Sequence, residues 1–298
     1  MAKKKNTKID APGRDYGLLG AHFSIAGGLQ RALFEAQAHE CTAVQIFTKN
    51  ANSWAERVLT TAEIERFEAA KADTGILTIA SHTSYLINPA AADARKFEQS
   101  CDALRQELIR SSQLGIPLVV LHPGSHMGAG EQQGLEQIGA AVGRILKETD
   151  GLRTRLLFET TAGQGSSLGH TFAQLAILLE RTGSPRHTGI CLDTSHVFAA
   201  GYDIRTVDTL ERTLAEFDRE IGLERLRLIH LNDSKKEFGS RVDRHEHIGR
   251  GCIGDAAFEH IMNHRRLRAI PKIIETPKGE KGENWDRLNL ERLKAFVG

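Results

Sequence analysis

Histidine, aspartate and glutamate recur at one kind of position in this 298-residue chain, the end of a short apolar run. His22 closes GLLGAH, His82 closes ILTIASH and His122 closes PLVVLH. Glu159 closes RLLFE, Asp193 closes TGICLD and Glu275 closes IPKIIE, while His230 stands next to last in LRLIHL. Of these runs only TAVQIF lacks such a residue, ending on Phe47. Imidazole and carboxylate without thiolate is the ligand set of catalytic zinc, manganese or iron; calcium takes oxygens only. Two loops add to the set. LDTSH places His196 three residues after Asp193, and GSRVDRHEHIGRG (239–251) carries Asp243, His245 and His247. These are too many ligands for one ion. Two or three ions bridged by a carboxylate would activate water and stabilise both oxygens of an in-line phosphoryl displacement. Four carboxylates against three divalent ions leave such a centre about two charges positive. That suffices to attract a phosphodiester although 39 Lys and Arg against 38 Asp and Glu give the chain a net charge of only +1.

The elements that must carry these residues are legible from periodicity. The apolar runs are leucine-rich or β-branched and do not alternate strictly, as in parallel strands buried on both faces. Helical stretches lie between them: GGLQRALFEAQAHE, TAEIERFEAAKADTG, ADARKFEQSCDALRQELIRSSQLG ending on Gly115, and TLERTLAEFDREIG stopping at Gly222. Eight runs spaced roughly 25 to 45 residues apart indicate α/β architecture, a (β/α)8 TIM barrel, rather than an open doubly wound sheet. No linker divides the chain. The expected organisation is a basic, disordered leader at 1–15 and one barrel domain over 16–298. In a barrel all eight C-terminal strand ends open on one face, where active sites sit. One polar residue ending a buried strand is ordinarily a satisfied core group or a helix cap. Seven on one rim are not explained that way, because a buried carboxylate or imidazole is costly unless paired or metal-bound.

Composition excludes other classes. With 40% hydrophobic and 26% charged residues the chain is globular. No stretch approaches the length of a membrane span, and the basic start lacks the apolar segment of a secretory signal. Cys41, Cys101, Cys191 and Cys252 form no C-x-x-C pair, which suits a reducing, cytoplasmic location. AGQGSSLG (162–169) lacks the G-K-[ST] ending of a P-loop.

Together, GAHFSIAGGL (20–29), IFTKN (46–50), SYLIN (84–88), HPGSH (122–126), FETTAGQGSSLG (158–169), CLDTSHVFAAGYD (191–203), HLNDSKKEFGSRVDRHEHIGRG (230–251) and IIETP (273–277) resemble the endonuclease IV family of apurinic/apyrimidinic endonucleases nearly end to end. The resemblance implies a (β/α)8 barrel with three Zn2+ per chain, Mn2+ being admissible at one position. The implied reaction cleaves double-stranded DNA on the 5′ side of an abasic site, leaving a 3′-hydroxyl and a 5′-deoxyribose phosphate, with trimming of 3′-blocking groups as a further activity. By motif, one zinc takes His82, His122 and Glu159. A second shares Glu159 and adds Asp193, His230 and Glu275. The third takes His196, Asp243 and His245. Glu159 is the catalytic residue, fixing and polarising the bridge. Tyr85 and Leu86 are implied to wedge into the duplex as the abasic site flips out, and Gln164 and Arg244 to contact DNA. Nothing demands more than a monomer, and no membrane is involved.

Two positions depart from the family pattern: Asn52 stands where a basic residue is common, and Thr83 where an aspartate is common. His22 matches GAH but is not a family ligand, which leaves substrate contact or hydrogen bonding for it. His247 is expected to lie outside the ligand set. The rival enzyme is a sugar isomerase or epimerase, whose four-ligand pattern Glu159, Asp193, His230 and Glu275 would satisfy alone. It has no use for His196, Asp243, His245 or SYLIN. A non-catalytic DNA-damage binder would have lost ligands, and none is lost.

Overall fold

The computed structural model describes residues 16–279 and 283–298; the stretch expected as a leader, 1–15, lies outside them. Eight parallel strands close on themselves: β1 (Leu19–His22), β2 (Ala43–Phe47), β3 (Thr78–His82), β4 (Leu118–Leu121), β5 (Arg155–Glu159), β6 (Thr188–Asp193), β7 (Leu226–His230) and β10 (Lys272–Ile274). Between β7 and β10 in the chain, β8 (Asp233–Ser234) and β9 (His245–Glu246) pair as a small antiparallel ribbon. The helices are α1 (Leu29–Ala38), α2 (Thr61–Thr74), α3 (Ala94–Gln113), α4 (Glu131–Glu148), α5 (Phe172–Thr182), α6 (Thr194–Ala200), α7 (Val207–Glu220), α8 (Asp255–Asn263) and α9 (Trp285–Ala295). The barrel is thus the expected one, closed rather than open. Among the described residues no helix is long and apolar enough to cross a membrane.

Local chemistry accounts for the boundaries. A Thr60–Glu63 capping box starts α2, and Gly75 in the left-handed conformation ends it. Asp93 caps α3, whose chain reverses at Gly115 with φ +62°. The first helical stretch begins later than its sequence suggests, at Leu29, because Gly27 and Gly28 take φ values of +82° and +130°. Two strands also stop one residue short of the polar residue that closes their apolar runs. β4 stops at Leu121 and β10 at Ile274, so His122 and Glu275 leave the ladder as the chain turns into the rim.

The barrel interior explains why polar residues end these strands. Ala43, Ala80, Val120, Leu157, Cys191, Leu228 and Ile273 form an apolar cluster of their own, distinct from the larger core between strands and helices. Side chains two apart on a strand share a face. Two residues past that cluster therefore stand Gln45, His82, His122, Glu159, Asp193, His230 and Glu275. The polar set is the next layer of a filled barrel, resting on a dry apolar one. Gly20 leads to His22 in the same way. It must be glycine, because a Cβ there would lie 1.7 Å from the Ala43 carbonyl oxygen.

Leu157→Ala opens a cavity directly beneath Glu159. Unfolding in urea should show a loss of roughly 2–5 kcal/mol relative to wild type. A loss under ~1 kcal/mol would mean that the layer is not close-packed.

Candidate metal centre

Glu159 ends β5 and is completely buried. Its Oε2 lies 3.0 Å from His82 Nε2 and 2.9 Å from His122 Nε2; its Oε1 lies 3.0 Å from His230 Nδ1 and 3.4 Å from His196 Nδ1. His230 Nδ1 also lies 3.1 Å from Glu275 Oε2 and 3.8 Å from Asp193 Oδ2. Across the rim, Asp243 approaches His196 Nε2 at 3.1 Å and His245 Nε2 at 3.5 Å, and Asp193 Oδ2 lies 3.6 Å from His245 Nε2. All nine residues singled out as ligands thus converge. Donor atoms gather within 4.8 Å of one another in three groups: His82, His122 and Glu159; Glu159, Asp193, His230 and Glu275; and Asp193, His196 and His245. Asp193 touches both the second and the third group, a link that spacing alone did not indicate.

Four of the five imidazoles are pinned through one nitrogen, which fixes where the other points. His82 Nδ1 donates to the Thr83 carbonyl at 2.8 Å, and His196 Nδ1 to the Thr160 carbonyl at 2.8 Å. His245 Nδ1 donates to the Glu275 carbonyl at 3.2 Å, and His230 Nε2 to Gln45 Oε1 at 2.8 Å. With those protons assigned, each neutral ring turns a bare lone pair toward carboxylate oxygens. Lone pair against anion is repulsive unless a cation lies between. His196 Nε2 and His245 Nε2 are moreover buried without a hydrogen-bond partner. Orphaned nitrogens aimed at carboxylates fit a divalent ion of the zinc class.

Without an ion a proton must do the same work. Burial opposes charge on His82, His196 and His230, yet neighbouring groups win and raise all three above the ordinary imidazole value: Glu159 for His82, Asp193 and Asp243 for His196, and Cys191 followed by Glu275 and Glu159 for His230. Burial likewise disfavours the ionised forms of Glu159 and Glu275, but His122 and His230 for the first, and His230 and His22 for the second, hold them well below the usual range.

Three residues not singled out from the motifs hold these candidate ligands in place. Gln45, fully buried, also donates from Nε2 to Glu275 Oε1 at 2.5 Å and to His22 Nδ1 at 3.1 Å. A lone amide inside the apolar run TAVQIF was its signal. Asn232 donates to Asp193 Oδ2 at 2.6 Å and accepts from the Glu275 amide at 2.7 Å. Asp233 accepts backbone N–H groups from Gly249, Gly251 and Ile253 at 3.0, 3.0 and 2.9 Å, closing the loop that carries Asp243 and His245. Both acceptors sit in HLND, beside a ligand.

The remaining expected residues divide. Tyr85 is 64% exposed on the cleft rim, its ring 5.5 Å from that of Phe47, and Leu86 is half-buried beside it. Core packing therefore does not account for Tyr85. Arg244 is exposed and lines the same cleft of about 550 Å³ with His22, His82, His122, Glu275 and Lys278. Gln164 accepts the Asp243 amide at 3.1 Å through its side chain, so it steadies a ligand. His22 lines the cleft and is hydrogen-bonded within it; burial first, partly offset by Glu275, lowers its pKa and keeps it neutral. His247 faces away, stacked on Trp285 with ring centroids 4.0 Å apart and bonded to Asn289. Thr83 supplies a backbone carbonyl to His82, a role that needs no acid, and Asn52 is exposed in the loop after β2.

Fold and site together define a (β/α)8 barrel protein with a histidine–carboxylate cluster of metal-binding type at its C-terminal rim. The model of the Xylose isomerase-like TIM barrel family matches residues 33–296. A protein of Chloroflexus aggregans named "Probable endonuclease 4" is 48% identical over 93% of this chain and 97% of its own, and one of the same name from Geobacter sulfurreducens is 46% identical over 94% of each. The crystal structure of endonuclease IV from Thermus thermophilus superposes with a TM-score of 0.83 at 38% identity, covering 94% of this chain and 98% of that one. The chain belongs to the endonuclease IV family.

The raised imidazole values set a pH dependence for metal-free protein. A group whose pKa is raised on folding contributes stability that is full below its unfolded value of about 6.5 and lost as pH rises through the folded value. Thermal melts of chelator-stripped protein should therefore fall from pH 6.5 upward, while metal binding, which displaces those protons, should tighten. A melting temperature that holds or climbs over that range would contradict the protonated cluster.

Proposed function

We propose that this protein is a DNA-repair endonuclease that hydrolyses the phosphodiester 5′ to abasic sites in duplex DNA. Its products are a 3′-hydroxyl and a 5′-deoxyribose phosphate, three zinc ions serve as cofactors (Mn2+ being admissible at one position), and 3′-blocking groups are trimmed at the same centre. The observation that carries this reading is the convergence of eight ligand-type side chains into three contiguous groups beneath one open cleft, with Asp243 set against His196 and His245 of the third. Membership of the endonuclease IV family supports it. Divalent ions bound there supply Lewis acidity toward phosphate oxygens and lower the pKa of water.

The chain's own groups do the rest. Glu159 presents both oxygens from a dry floor, so its position does not relax into solvent. Asn232 and Gln45 hold Asp193, Glu275 and His230 against rotation. Pinned imidazoles stay neutral when loaded, so the four carboxylates alone offset the ionic charge and the cleft stays positive. Arg244 and Lys278 on the rim extend that field toward a phosphate backbone. Tyr85 and Leu86 project where unstacked bases would leave a gap, which offsets a flipping cost of a few kcal/mol. The isomerase reading leaves His196, Asp243, His245 and exposed Tyr85 without work. The protein is proposed to act as a monomer.

Purified protein should incise an abasic-site duplex, stop after strong chelation and recover with Zn2+. Intact duplex with zinc-replete protein that instead isomerises a ketose would overturn the nuclease reading. Replacing Tyr85 and Leu86 together by alanine should slow incision about tenfold or more, roughly 1.4 kcal/mol of the flipping term, with the melting temperature unchanged. Undiminished incision would remove the pair from the mechanism.

A further inference from the structure

A second set of metal-type donors lies outside the barrel, on the helical layer. Glu211 stands in α7, His260 in the last turn of α8, and His264 is the residue that caps α8. The two histidines are four apart, which sets both on one helical face, the arrangement that presents two imidazoles to a single ion. Their Nε2 atoms point at the same atom, Glu211 Oε1, at 3.3 Å from His260 and 3.0 Å from His264. One donor atom from each of the three lies within 4.8 Å of the others. The rings meet edge to face, centroids 5.7 Å apart, so neither blocks the other's lone pair.

We infer that Glu211, His260 and His264 form a surface site for one zinc-class divalent ion that clamps α7 to α8. Metal–nitrogen and metal–oxygen bonds of about 2.0–2.2 Å in tetrahedral geometry put neighbouring donors roughly 3.3–3.5 Å apart. The two nitrogen–oxygen separations, 3.3 and 3.0 Å, are already close to that, and all three donors lie within 4.8 Å of one another. Two imidazoles and one carboxylate select zinc, copper or nickel over magnesium and calcium, which prefer oxygen. Three protein ligands leave a fourth position for water. It opens to solvent, because the Glu211 side chain is 50% and that of His260 26% exposed. His264, only 9% exposed, anchors the inner side. The neighbouring Arg266–Asp218 ion pair joins the residues after α8 to α7 a second time, so the helices are held in register before an ion arrives. None of the three residues lines the cleft above the barrel, and the site stands independently of what that cleft does.

The rival account is two imidazole-to-carboxylate hydrogen bonds with no ion. Ion counting separates them. Chelator-stripped protein is reloaded with ZnCl2 and weighed by native mass spectrometry, wild type beside a His260→Asn, His264→Asn double variant. The double variant should hold one ion fewer, whatever number the barrel centre takes, with excess MgCl2 failing to displace the difference. Glu211→Gln keeps a hydrogen-bond acceptor but loses the anionic ligand, and it should bind that ion at least tenfold more weakly. Zinc should also raise the melting temperature of wild type more than that of Glu211→Gln, since the ion binds the folded clamp. Equal ion counts in wild type and both variants, or equal zinc-induced shifts, would leave only the hydrogen bonds and overturn the site.

Discussion

A carboxylate with no solvent contact organises this molecule. Glu159 meets four imidazoles, delivered by the ends of β3 and β7, the residue after β4, and the start of α6. Burying one negative charge that deeply is tolerable only with compensating positive charge at hydrogen-bond range. That need is met by protons on histidine or by ions, and the pinned rings determine which nitrogen does the meeting. Every other ligand position follows from where those rings must sit.

The barrel satisfies this demand through layering. Its interior alternates, so a tightly filled apolar tier lies one pleat below the polar one. The lower tier is dry and close-packed and keeps water from solvating the carboxylates from beneath. It also makes the strand ends rigid, which holds donor atoms at coordination distances without an ion. The amides of Gln45 and Asn232 complete the frame. Each spans two charged residues, so the cluster cannot rearrange one member at a time.

Much of this was legible in the sequence because buried parallel strands are apolar throughout, so one acid or imidazole at the end of each stands out. His82, His122, Glu159, Asp193, His230 and Glu275 were visible for that reason, and with them the closed barrel. What the sequence did not disclose depends on backbone geometry. His122 and Glu275 sit just past their strands, not on them. Gln164 and Asn232 matter through hydrogen bonds to residues 79 and 39 positions away, respectively, and no local pattern records a partner so distant. The Glu211, His260 and His264 group was likewise invisible, since α7 and α8 face each other only in the folded chain.

Asp233 closes the segment that carries Asp243 and His245 with short-range bonds to residues 249–253, while two α6 carbonyls, of Phe198 and Ala199, receive amides from Gly239 and Arg241. Six of the candidate ligands thus stand at or just past barrel strand ends, and His196 on α6. The other two, Asp243 and His245, ride on the segment between β7 and β10, which is tied back to the barrel through the Gln164 side chain, the Glu275 carbonyl and the end of α6. The Glu159, Asp193, His230 and Glu275 group is fixed by barrel closure, whereas the placement of Asp243 and His245 depends on one segment and the aspartate that closes it.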